Sequence, residues 1–215
     1  MCIAPNRLDD GTEVGCRDCW QCRKRRVNDL VGRGIAESKY SKKTYAITLT
    51  YAQEAGVNAV TLNYKDVQDM IKNIRDLFEC RYIVAGEYGS KKGRAHWHII
   101  LFFKGPSKKA IKRAAKRNQK ALDYPDEALN KKVQWKYWKY GFSYFQEPDW
   151  KGFEYVLKYV LKDSDTRSVD SHLAMSKKPP LGAEYFEWLA DEHVRQGLAP
   201  QKYFYKFGGI RDYKN

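Results

Sequence analysis

The chain has 215 residues, 43% of them hydrophobic, which is enough for one domain with a sizeable core and too much for a disordered chain. Lys and Arg number 40 against 26 Asp and Glu, a formal charge of +14 that suits a polyanionic partner, nucleic acid first and an anionic membrane surface second. No run approaches the roughly 18 apolar residues of a membrane span, and the N-terminus lacks the apolar core of a signal peptide. With five cysteines, four of them in the first 22 residues, a secreted disulfide framework is excluded in favour of an intracellular protein with reduced thiols.

Residues 1–38 read as a small Cys-rich, basic N-terminal appendage and 39–215 as the main domain with a C-terminal helical extension. Cys16, Cys19 and Cys22 form C-x-x-C-x-x-C, and Cys2 can close a tetrahedral zinc set; an iron–sulfur cluster and unligated thiols are the alternatives. Arg23, Lys24, Arg25 and Arg26 then enter a basic helix near 20–38. "KTYAITLTY" (43–51) is β-branched and aromatic, a core strand. "YKDVQDMIKNIRDLF" (64–78) carries Val67, Met70, Ile71, Ile74, Leu77 and Phe78 at helical spacing.

"CRYIVAGEYG" (80–89) and "RAHWHIILFF" (94–103) read as two strands joined by the turn "GSKKGR", with Cys80 a small core residue. Residues 107–122 suit a helix with Ser107 as N-cap, Ala110, Ile111, Ala114 and Ala115 on one side and Lys109, Lys112, Arg113 and Lys116 on the other. The aromatic segment 134–148 contains a strand around 141–147; its rings are core residues or, alternatively, stack on unpaired bases. Residues 149–165 and 179–197 suit two more helices, the second ended by Gly197. This order predicts an α+β fold, an antiparallel central sheet with helices packed mainly on one face.

His96 and His98 flank Trp97 on a strand, so both imidazoles share one face while the indole takes the other. A half-exposed polar strand would look the same. With Glu87 across the hairpin, however, two imidazoles and a carboxylate make a divalent-cation site with open positions, provided the turn keeps the register. On the helix "EYVLKYVLKD", Tyr155 and Tyr159 are four apart, as are Lys158 and Lys162, and each pair shares a face. An amphipathic helix with Val156, Leu157, Val160 and Leu161 inward is the plain reading. A tyrosine with pKa about 10 becomes a useful nucleophile only where a cation stabilises the phenolate or the transition state, which lysines and a metal supply.

"AHWHIILFF" resembles the His-hydrophobic-His strand of the HUH endonuclease superfamily, "YAITLTY" its first strand motif, and "YVLKYVLK" the two-tyrosine motif of rolling-circle replication initiators. "CRDCWQCRKRRVNDLVGR", "GEYG" and "MSKKPPLGAEYF" are similar to segments of the initiators of small single-stranded DNA phages, the Microviridae and the gokushovirus group in particular. The resemblance implies an RRM-like or palm-like HUH domain that nicks a single-stranded DNA origin and later rejoins the ends. It implies His96, His98 and Glu87 as ligands of Mg²⁺ or Mn²⁺, and Tyr155 or Tyr159 as the nucleophile that leaves a 5′-phosphotyrosyl link. Lys158 and Lys162 would hold the phosphate, and a host polymerase and helicase in the cytoplasm of an infected bacterium would be partners. A transposase or relaxase of the same chemistry, or a non-catalytic zinc protein binding single-stranded nucleic acid, are the competing expectations. The basic runs are solvated faces or phosphate contacts; His172 and His193 receive no role.

Overall fold

The protein is described by a computed structural model covering residues 2–52, 60–89, 93–117, 124–162 and 172–197. A small hairpin, β1 (Asn6–Arg7) and β2 (Glu13–Val14), precedes α1 (Trp20–Lys39). Then come β3 (Lys43–Thr50), α2 (Tyr64–Arg75), β4 (Phe78–Tyr88), β5 (Ala95–Pro106) and α3 (Lys108–Arg117). A 3₁₀ turn at Pro125–Ala128 leads to β6 (Lys132–Val133), β7 (Ser143–Gln146), α4 (Trp150–Lys162), β8 (His172–Met175) and α5 (Ala183–Arg195). Strands β3 to β8 form one antiparallel sheet in the order β6-β7-β3-β5-β4-β8, so the α+β architecture expected from the sequence is the one observed.

Strand β5 lies inside this sheet, paired along its length with β3 on one side and β4 on the other. Its side chains alternate. Trp97, Ile99, Leu101 and Phe103 join Val67, Met70, Ile71 and Ile74 of α2, with Trp138 and Phe145, in one core. Ile100 and Phe102 meet Val27, Leu30, Val31 and Ile35 of α1 and Phe153, Val156 and Leu157 of α4 in the other. Helices α1 and α4 thus lie on the histidine face, with α5 packed against α1, and α2 covers the opposite face.

The helix expected over 64–78 ends at Arg75, because Phe78 opens β4 opposite Pro106 and Leu77 closes the turn with its N–H on the Ile74 carbonyl. Ser107 caps α3 as expected, its hydroxyl accepting from the Ala110 N–H at 3.1 Å. Ile111, expected to face inward with Ala110, is 54% exposed. A helix turns about 100° per residue, so burying Ala110 swings its neighbour outward. The expected continuation of α3 over 118–122 lies outside the described residues. Strand β8 is an addition: four residues on the sheet edge, from His172 opposite Gly86 to Met175 opposite Ile83. Among the described residues no helix is long and apolar enough to cross a membrane.

One buried carboxylate ties the layers together. Glu37 on α1 is 2% exposed and takes Arg81 Nη1 of β4 at 3.2 Å and the Gly182 N–H, at the start of α5, at 2.7 Å. Lys104 Nζ of β5 sits 2.8 Å from its other oxygen, a charge contact whose angle falls short of a hydrogen bond. The side chains of Arg81 and Lys104 are themselves only 11% and 12% exposed, so removing the carboxylate strands two cations in a poorly solvated place. Glu37→Ala is therefore expected to destabilise the fold by about 3–5 kcal/mol in urea denaturation; a loss under about 1 kcal/mol would show that water replaces the carboxylate.

Candidate active site and cysteine cluster

The register of the central strands assembles the histidine site. Glu87 of β4 lies directly opposite His96, and Thr48 of β3 directly opposite His98, so all four side chains share the face toward α4. Glu87 reaches diagonally, as cross-strand neighbours two apart can, and its Oε1 is 3.0 Å from His98 Nε2. Thr48 Oγ1 is 3.1 Å from His98 Nδ1, which fixes the ring from its other side. His98 is 4% exposed. His96 Nδ1 is buried without a hydrogen-bond partner, and burial together with the like charge of His98 holds the His96 pKa below its ordinary value. Gly89 borders the same ring: a Cβ added there would sit 3.3 Å from His96 Cε1.

These residues fit a small divalent cation. Two ligand atoms at right angles on an octahedral Mg²⁺ lie about 3.0 Å apart, given metal–oxygen distances of about 2.0–2.1 Å, and the Glu87 and His98 atoms have that spacing. His96 adds a buried nitrogen lone pair with nothing else to bind it. The three ligand atoms are not drawn together as tightly as the cysteine sulfurs described below.

Helix α4 brings Tyr155 to this site. Asp149 caps the helix, Oδ1 accepting from the Gly152 N–H at 2.7 Å, and Phe153, Val156 and Leu157 are buried. The helix lies close to α1: a Cβ at Gly34 would come within 2.8 Å of the Phe153 ring, so only glycine fits there. Tyr155 is left 44% exposed, with its ring edge-on to His98 at 5.7 Å between centroids. Both line an open cleft of about 620 Å³ between β7 and α4, which Lys151, one helical turn before Tyr155, also borders. Tyr159 follows Tyr155 by one turn along α4; its side chain and those of Lys158 and Lys162 lie outside the described part of the structure.

The four N-terminal cysteines come together although Cys2 is remote in sequence. The Sγ atoms of Cys2, Cys16, Cys19 and Cys22 all lie within 4.8 Å of one another. The Cys2–Cys19 and Cys16–Cys22 separations are 3.8 and 4.0 Å. Tetrahedral thiolates about 2.3 Å from zinc are about 3.8 Å apart, so the four-cysteine group can hold a metal such as zinc. Backbone N–H groups of Ile3 and Cys22 lower the Cys19 thiol to about 6. Against a backbone hydrogen bond from Arg17, burial and bonds to the other three sulfurs push Cys22 up to about 11. Such a split is what one sulfur cluster sharing protons produces.

A family model described as replication-associated protein ORF2 matches residues 44–164, from β3 to beyond α4. This chain belongs to that family. It is similar to replication-associated protein ORF4 of Chlamydia phage 1, 28% identical over 187 residues, 80% of this chain and 45% of that protein. VP4 of Bdellovibrio phage phiMH2K is 24% identical over 200 residues, 85% of this chain and 60% of the relative. ORF2 of Spiroplasma virus 4 is 29% identical over 190 residues, 80% of this chain and 57% of the relative. The chain therefore spans about half the length of these curated relatives. No solved structure matches it.

The family match runs over the whole histidine and tyrosine arrangement of this replication-associated protein and begins after the cysteine cluster. Lys24, Arg25 and Arg26 are exposed on α1, while Arg23 pairs with Asp18 at 2.5 Å. Lys112 and Arg113 are exposed on α3, Lys109 pairs with Asp76 at 3.0 Å, and the Lys116 side chain lies outside the described residues. Sequence reading missed Thr48 and Lys151. Both had a signal available: Thr48 occupies an alternate position of the β3 pattern, and Lys151 precedes Tyr155 by four residues.

The buried His96 has a consequence for acid stability. Its folded pKa lies below the unfolded value of about 6.5, so as pH falls below that value the unfolded chain takes the proton first and stability is lost. In EDTA, the urea midpoint is expected to fall between pH 7 and 5, and less steeply in His96→Gln; equal slopes would show that His96 stays solvated.

Proposed function

We propose that this chain is a metal-dependent tyrosine endonuclease and strand transferase that nicks single-stranded phage DNA at a replication origin and later rejoins the ends. The observation that carries this reading is the placement of Tyr155 edge-on to His98, over a buried His–Glu pair and in an open cleft bordered by Lys151. Family membership and three relatives named as phage replication-associated proteins support it.

In this reaction the Tyr155 phenol loses its proton as its oxygen bonds to the scissile phosphorus. The phosphorus–O3′ bond breaks, and the leaving oxygen takes up a proton to become the 3′-hydroxyl that primes a host polymerase. The 5′ phosphate stays on Tyr155 as a phosphodiester. Mg²⁺ or Mn²⁺ held by His96, His98 and Glu87 supplies Lewis-acid neutralisation of the phosphate oxygens. Thr48 holds the His98 ring, and Lys151, Lys158 and Lys162 add positive charge along the tyrosine face of α4. Tyr159, one turn on, attacks the second junction after a round of synthesis, and reversal of the first step joins the ends. The work is done in the cytoplasm of an infected bacterium, with strand separation by a host helicase.

Tyr155→Phe with Tyr159→Phe is expected to abolish cleavage of labelled single-stranded DNA from the phage genome in Mn²⁺ while leaving binding unchanged. His98→Ala and Glu87→Gln should each lower the single-turnover rate about 10²–10³-fold, the scale for losing one group that stabilises transition-state charge. Cleavage surviving in the double tyrosine variant would refute the assignment.

The cysteine cluster is proposed to be a structural zinc site that shapes the chain ahead of α1. Protein purified without chelators should carry one zinc per chain by elemental analysis, and Cys19→Ser should carry little; full occupancy in that variant would contradict the four-thiolate site. A non-catalytic zinc protein that binds single strands is the second reading, favoured by this sulfur geometry and by Lys132 set over the Phe142 ring at 4.1 Å. The tyrosine variants separate the two.

A further inference from the structure

Strand β7 forms the wall of the cleft opposite Tyr155, and nothing in the nicking chemistry uses it. Tyr144 and Gln146 are two apart on that strand and face the cleft, whereas Phe145 between them is fully buried in the α2-side core. Tyr144 lies directly opposite Thr48, which lies directly opposite His98. Two strand spacings of about 4.8 Å place its ring about 10 Å from the histidine, on the same sheet face. At 36% exposure it is a large aromatic ring that the fold leaves open to solvent. Lys132, its partner on β6, brings a cation to the outer edge.

Charge divides the cleft. Lys151 stands on the α4 side near Tyr155, while Gln146 and the carboxylate of Glu147 stand on the β7 side. A phosphate is favoured beside the lysine and disfavoured beside the carboxylate, so what suits the β7 side is a neutral base rather than backbone. We infer that this cleft is a nucleobase pocket in which an unpaired base next to the cut phosphate stacks on Tyr144 and is read by Gln146 and Glu147. The inference rests on the nicking reading for the position of the phosphate.

The chemistry of the wall selects among bases. An ionised carboxylate only accepts hydrogen bonds, and a glutamine amide both donates and accepts. A base with an exocyclic amino group beside a ring nitrogen, adenine or cytosine, satisfies both. Thymine turns carbonyl oxygens toward the carboxylate and is rejected by unpaired acceptors.

The test is equilibrium binding, in EDTA so that no strand is cut, of oligodeoxycytidylate and oligothymidylate of equal length. Both are pyrimidines, so the comparison isolates the amino group from stacking area. Cytidylate is expected to bind at least about fivefold more tightly, and Glu147→Gln should narrow that gap. Tyr144→Ala should weaken cytidylate binding about 5- to 140-fold, the range for losing one base–aromatic stack, with Tyr144→Trp restoring it. Equal binding of the two oligonucleotides by the unmodified protein, or undiminished binding by Tyr144→Ala, would overturn the pocket. A parallel Mn²⁺ reaction keeps the two ideas apart: cleavage without base preference sinks only the pocket, and base preference without cleavage sinks only the nicking reading. If Tyr144→Ala fails to fold, the cytidylate–thymidylate ratio of the unmodified protein decides.

Discussion

The register of β5 is the constraint on which the site depends. This strand is paired on both sides over most of its length and buried on both faces, so its alternate residues are assigned to two different cores. A slip of one residue would drive Trp97 into the space of His98 and expel both histidines from the face that α4 covers. The same pairing sets Glu87 opposite His96 and Thr48 opposite His98. The requirement to bury Trp97, Ile99, Leu101 and Phe103 against α2 therefore also positions two imidazoles, a carboxylate and a hydroxyl within reach of one another.

Around this ladder the helices act as positioning devices. Glu37 fastens α1 to β4, β5 and the start of α5 through one buried carboxylate. Gly34 lets α4 approach α1 closely enough for Tyr155 to lie over His98. The cysteine cluster lies just before α1, with Cys22 in its first turn, so its closure bears on the helix that carries Glu37 and Gly34. A chain of contacts thus runs from the sulfurs through α1 to the tyrosine helix.

Much of this was legible in the sequence where local pattern and tertiary demand agree. The alternation of "AHWHIILFF" and the turn "GSKKGR" placed both strands and Glu87, because period two and a short hairpin fix a register. The end of α2 was not legible, since Leu77 and Phe78 continue the helical spacing while Phe78 is claimed by pairing with Pro106. Ile111 was misplaced because a short stripe of alanines does not tell which side of α3 meets the fold. Strand β8 was invisible: four residues at a sheet edge, ordered by a partner far away in sequence, leave no periodicity to count. Glu37 gave no signal, because a buried carboxylate looks like any helix-surface glutamate until Arg81 and Lys104 arrive from other elements. Within the candidate site, what sequence could not supply was depth, namely that His98 is buried and Tyr155 is not.

The central claim is that a tyrosine of α4 becomes covalently joined to DNA. Its most direct test is intact-mass measurement, under denaturing conditions, of the protein after incubation with single-stranded DNA of its own genome and Mn²⁺. The account predicts a mass increase equal to the DNA fragment on the 3′ side of the cut, joined through its 5′ phosphate, prevented by EDTA and mapped by peptide sequencing to Tyr155 or Tyr159. Cleaved DNA with no protein adduct would contradict a tyrosine nucleophile, and intact DNA on tightly bound protein would contradict catalysis.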